Sequence, residues 1–134
     1  MLSYSVSYEA VLSAVLASFI VSWFWYSPML FGKSYQKALG KNERHQQRGM
    51  AAGFVTWVAA SIVMAFVLDN TLVAMGVTNI LQGMLVAAWI WLGFILTTLA
   101  IVYKFARQPL ELIWIDAGAS LLGLLIMGAV LVVI

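Results

Sequence analysis

The sequence predicts an all-α integral membrane protein: four transmembrane helices in an antiparallel bundle, with a short interfacial amphipathic helix after the first. Three observations carry this. Hydrophobic residues make up 64% of the 134 and charged residues 9%, a balance for which water cannot be the main solvent. Four apolar stretches each approach the roughly 20 residues a helix needs to cross about 30 Å of hydrocarbon. Every Lys and Arg lies in two of the segments that connect them. The length fits a single domain, 1–134, with spanning helices at about 8–27, 49–68, 79–103 and 110–134 and the interfacial helix at about 30–39.

The first stretch, from Tyr8 to Tyr26, holds one charge, Glu9, at its start. The N-terminus lacks the basic region of a secretory signal, so the segment is expected to be retained. Ala14, Ser18 and Ser22 recur every four residues and offer a thin face for close helix packing. Pro28 has no amide hydrogen and biases Ser27 away from helical backbone, so the helix should end there. Beyond it, Phe31, Tyr35, Ala38 and Leu39 share one side while Lys33, Gln36 and Lys37 take the other, the pattern of a helix lying in the interface. Gly40 stops it, and Lys41 to Arg48 is a polar run in which His45 is expected to be solvated.

The second spanning helix should start at Gly49, whose spacing to Gly53 marks another close-contact face, and Asp69 and Asn70 should end it. After a brief connection, Asn79 is the expected N-cap of the third helix, with Gln82 three residues on as in a capping box. Lys104 and Arg107 close this helix and Pro109 prevents its continuing. The fourth helix carries Glu111 in its first turn, where a helix dipole favours it, Asp116 deeper, and Ala119 and Gly123 as small residues four apart. Ser22-Trp23-Phe24-Trp25 resembles Ala88-Trp89-Ile90-Trp91 at nearly half the chain length, a weak trace of duplication whose two copies are expected at different depths.

Orientation follows from charge. Lys33, Lys37, Lys41, Arg44 and Arg48 precede the second helix, and Lys104 and Arg107 follow the third. The positive-inside rule makes both segments cytoplasmic and puts both termini outside. The net charge of +2 is therefore a topology signal, and no nucleic-acid partner is expected.

Chemistry has few places to reside. Without cysteine there is no disulfide or thiol nucleophile, and one histidine leaves little for a metal or haem, so no metal, cofactor or catalytic residue is expected. No nucleophile-elbow, zincin, P-loop or dinucleotide motif occurs, so an enzyme is not expected. Asp116 stands out. At 1.5 Å per residue it lies roughly 9 Å into the fourth helix, where a lipid-facing carboxylate would cost about 2.5 to 3.5 kcal/mol. Thr97, Thr98, Thr56, Tyr26 and Ser27 share its depth and are the expected companions of a polar vestibule opening to the cytoplasm. Trp25, Trp57 and Trp91 are the candidate aromatic lining, unless they serve as packing or interface anchors. Asp116 would couple a proton, cation or substrate, or else pair structurally with Lys104, Arg107, Lys33, the Thr hydroxyls or Tyr26.

Three runs carry a resemblance to a known family: Trp25-Tyr26-Ser27-Pro28-Met29-Leu30-Phe31-Gly32-Lys33, Trp91-Leu92-Gly93-Phe94, and Asp116-Ala117-Gly118 before Met127-Gly128-Ala129. Together they resemble the bacterial membrane-protein family catalogued as domain of unknown function 1761, short four-helix proteins. Asn is commoner in that family where this chain has Asp116. The resemblance implies a fold and a membrane, and no activity.

The functional expectation is a small transporter or channel-like homo-oligomer in the bacterial cytoplasmic membrane. An accessory or assembly subunit of a membrane complex, and a lipid- or quinone-binding protein, are the alternatives. Expected partners are the lipid bilayer, further copies of the chain, and a small ion or lipophilic ligand.

Overall fold

A computed structural model describes residues 8–27 and 43–133, with the side chains of residues 43–51 excluded. The expected interfacial helix at 30–39, with Lys33 and Lys37, lies outside the described residues. Within them the structure is helical: α1 (Tyr8–Trp25), α2 (Glu43–Ala74), α3 (Ile80–Ile90), a π-helical segment (Trp91–Leu96), α4 (Thr97–Phe105) and α5 (Leu110–Val133). The α3, π and α4 segments form one continuous span, Ile80–Phe105, so four helices are long and apolar enough to cross a membrane.

The helix ends are set by local chemistry. α1 stops at Trp25, two residues earlier than the sequence suggests; the Ser27 amide and hydroxyl both return to the Phe24 carbonyl, at 3.2 and 2.7 Å. α2 corrects the expected 49–68 at both ends. It starts at Glu43 because Glu, Arg and Gln are good helix formers that can extend a helix beyond the apolar layer. It passes through Asp69 and Asn70 because the polar side chains there are accommodated helically: Asn70 Nδ2 donates to the Phe66 carbonyl at 2.9 Å and Thr71 Oγ1 to that of Val67 at 2.8 Å. Termination comes instead at Gly76, whose φ of 69° lets the Gly76 and Val77 amides reach back to the carbonyls of Val73 and Leu72, both at 3.0 Å. Asn79 Oδ1 then accepts from the Leu81 amide at 2.7 Å, the expected N-cap of α3.

The π-helical turn was not legible in the sequence. Its wider turn leaves carbonyls poorly served, and two of them find hydroxyls: Thr97 Oγ1 donates to Gly93 at 2.9 Å and Thr98 Oγ1 to Phe94. α4 extends to Phe105, and Arg107 takes the left-handed position after it at φ 58°. A glycine usually sits there; a side chain costs about 1–2 kcal/mol.

α5 is the centre of the assembly. Of its span 44% is buried, against 6% of the third span. Its small residues set the approach of its neighbours. A Cβ on Gly83 of α3 would lie 2.9 Å from the Gly128 carbonyl oxygen, and one on Gly128 would lie 2.7 Å from that of Gly83, so these backbones touch. On the α1 side, a Cβ on Gly123 would lie 3.9 Å from Ser18 Cβ, and one on Gly118 would strike the Trp25 ring. Contacts pair low numbers of α1 with high numbers of α5, Ser18 with Gly123 and Tyr26 with Asp116. Ala14 and Ser18, on the predicted small-residue face, are fully or nearly fully buried, as is Ala119.

The second small-residue face, Gly49 with Gly53, has no close neighbour at Gly53 among the described residues. Gly53 is exposed, and a Cβ there would meet nothing within 4 Å among the described residues, so none of them packs closely against it. Gly49 is helical, its surroundings excluded from the description. Gly53→Ala is expected to leave unfolding in detergent unchanged or slightly stabilised, by up to about 1 kcal/mol; marked destabilisation would reveal a partner on that face.

Candidate functional site

Asp116 projects from the second turn of α5, beside the end of α1 and the end of α4. Its two carboxylate oxygens have separate partners: Tyr26 donates to Oδ1 at 2.5 Å and Tyr103 donates to Oδ2 at 2.6 Å. Both oxygens act as acceptors, and the donors come from two different spans. Among the described residues neither Lys104 nor Arg107 pairs with it; both are exposed, Lys104 in the last turn of α4 and Arg107 just after it. The three helix ends tied together here are the ends that adjoin the basic segments.

Two tryptophans grip the same turn of α5. Trp25 donates its indole N–H to the Ile115 carbonyl at 2.9 Å. Trp91 donates to the Ala117 carbonyl at 2.9 Å and approaches Ser120 Oγ at 3.1 Å. These residues were expected to line a pocket, and they instead fix the backbone on either side of Asp116. The matching Trp-x-Trp runs thus meet α5 within about one helical turn of each other, where different depths were expected. The outer members, Trp23 and Trp89, are both exposed.

Beside this cluster, between α1, α2 and α5, lies a partly open cavity of about 240 Å³. α1 contributes Ser18, Ser22 and Tyr26, and α2 contributes Trp57, Ser61 and Met64. α5 contributes Asp116, Ser120, Leu124 and Met127. Trp57 also closes a small aromatic group with Phe19 and Phe54, at ring-centroid distances of 5.6 and 6.3 Å.

Of the predicted vestibule set, Asp116 and Tyr26 come together at this cavity, and Trp57 joins them. Thr56, Thr97 and Thr98 do not. All three are exposed and bond back to their own helix, Thr56 to the Ala52 carbonyl at 2.9 Å and the other two across the π-helical segment. Equal depth put them level with Asp116, but their helical azimuth turns them away, and a hydroxyl in an apolar setting is easily satisfied by the preceding turn. Ser27 is similarly spent on Phe24.

Tyr103, Ser61 and Ser120 belong to the site and were missed. Ser120 had a signal, since it follows Asp116 by four residues on one helical face. Tyr103 looked only like a helix end. Asp69, expected in a connection, is 8% exposed inside α2, a second carboxylate within a span and at the opposite end of that helix from Trp57.

No curated protein and no solved structure matches this chain. Four apolar helices make it a multi-pass membrane protein by length and composition. Residues 9–132 match the model of the family described as protein of unknown function (DUF1761), and the chain belongs to that family.

Proposed function

We propose that the chain is a small transporter-like or channel-like protein of the bacterial cytoplasmic membrane, in which the serine-lined cavity holds a polar solute during passage. The observation that supports this is Asp116 itself, a carboxylate within a spanning helix that borders an open cavity. Such a charge is costly at membrane depth and belongs where it meets protein or water. The four helices form an antiparallel bundle on this reading, with the basic segments in the cytoplasm and both termini outside. The cavity then opens toward the cytoplasm. The sparse burial of the third span favours a homo-oligomer, because that face is left to lipid or to another copy.

Reconstitution into proteoliposomes tests this. The unmodified protein is expected to pass protons or small polar solutes above the level of empty vesicles, and Asp116→Asn to lower that flux by about tenfold, the loss of one charge-assisted contact. Equal flux in both proteins removes the carboxylate from the mechanism. A monomer by native mass spectrometry in mild detergent counts against the oligomer.

A further inference from the structure

We propose that the cavity takes a compact organic cation, an ammonium group carrying a short apolar body. This names the solute class of the site described above and rests on that reading of it.

Charge and hydrogen-bonding sense come first. Among the described lining residues Asp116 is the acidic one, and no Lys, Arg or His accompanies it. Three of the five lining hydroxyls have their protons committed elsewhere. Ser18 donates to the Val15 carbonyl at 3.0 Å, Ser120 to that of Ala117 at 2.9 Å, and Tyr26 to Asp116. The Ser18 and Ser120 oxygens each retain a lone pair for a ligand, without a proton to offer it. A carboxylate with no described cation beside it, among hydroxyls that can each accept, attracts a donor-bearing cation and repels an anion.

Size and texture narrow the class. A cavity of about 240 Å³ exceeds the roughly 30 Å³ share of one water and falls just short of the 300 Å³ at which drug-sized pockets begin, roughly. A bare metal ion needs a tight shell of convergent oxygens. Here Asp116 is the one charged oxygen ligand among the described lining residues, and much of the remaining wall is Trp57, Met64, Leu124 and Met127. An indole face attracts an ammonium group, and thioethers pack adaptably against carbon. Hydroxyls and carboxylate thus receive the charged head, and the Met-rich depth receives the hydrocarbon.

The test titrates the purified full chain in nanodiscs with n-butylammonium, and with 1-butanol and n-butyrate as neutral and anionic probes of similar size. Calorimetry and intrinsic tryptophan fluorescence are the readouts, with empty nanodiscs subtracted. Saturable binding is expected for butylammonium, with none for the other two. Asp116→Asn should weaken it about tenfold or more, and Ser61→Leu, which fills the cavity from another helix, should abolish it. Saturable binding of butanol or butyrate at equal strength overturns the proposal, as does butylammonium binding unchanged in either folded variant. The probe comparison on the unmodified protein decides even where a variant does not fold. Ammonium binding without any flux in proteoliposomes supports the site and removes the transport reading; flux of neutral or anionic solutes without ammonium binding does the reverse.

Discussion

Gly128→Leu is expected to prevent stable assembly of the bundle, and Gly128→Ala to destabilise it by about 3 kcal/mol, at the upper end of the cost of overpacking. The reason is what the new atom would meet. A Cβ at Gly128 would lie 2.7 Å from the Gly83 carbonyl oxygen and 3.3 Å from Ala87 Cβ. The first of these is backbone within α3, so relief requires two helices to separate. In a bilayer such separation forfeits much of the association energy, because helices there are held by close packing, with lipid as apolar as their own side chains. Unfolding in mixed detergent and dodecyl sulfate, followed by tryptophan fluorescence, measures the loss. Gly83→Ala should behave alike, since its Cβ would fall 2.6 Å from a Val132 methyl and 2.9 Å from the Gly128 oxygen. Normal unfolding of both variants would show that the α3–α5 contact does not hold the protein together.

Asp116→Ala is expected to cost about 2 kcal/mol and to loosen α1 and α4 from α5. Two phenols donate to this carboxylate. Bonds to charged groups are each worth about 1.5 to 3 kcal/mol in water-soluble proteins, but inter-helix bonds within membranes average nearer 0.6 kcal/mol, because the unfolded state also finds partners. The expected figure lies between the sums of the two scales. Asp116→Asn keeps one acceptor oxygen and turns an amide toward the other phenol, so it should fall between Ala and the unmodified protein. A double-mutant cycle of Asp116→Asn with Tyr103→Phe isolates the pair: additive losses would mean that the α4 tyrosine contributes nothing through the carboxylate.

How far the sequence reaches is clearest along the two helices that meet Asp116. The four-residue spacing of Ala14, Ser18 and Ser22, and of Ala119 and Gly123, marked faces for close packing without naming a neighbour, and Ser18 and Gly123 meet across α1 and α5. The same rule applied to Gly53 gave a face on which no described residue packs closely, since spacing identifies a surface capable of close approach and not the neighbour that uses it. Depth counting put Tyr26 level with Asp116 and also put Thr97 and Thr98 there. Only azimuth separates them, and the inserted π-helical turn shifts the azimuth of everything after Trp91 in that span. Asp69 was read as a helix stop by polarity, yet the neighbouring Asn70 and Thr71 satisfy themselves on the preceding turn and the helix runs on to Gly76.

The sequence alone determined that the chain has four membrane-length apolar helices, where most of them stop, and that one carboxylate lies inside the last. Hydrophobic run length, caps and breakers act over a few neighbouring residues, so they can be read in one dimension. The tertiary structure alone decided which polar groups share a cavity. It took Tyr103 and Ser61 from separate spans to Asp116 and its neighbours, turned the threonines outward, and set Trp25 and Trp91 on the backbone around the carboxylate. Those outcomes depend on helix rotation and on backbone contacts such as Gly83 with Gly128, which no local spacing encodes.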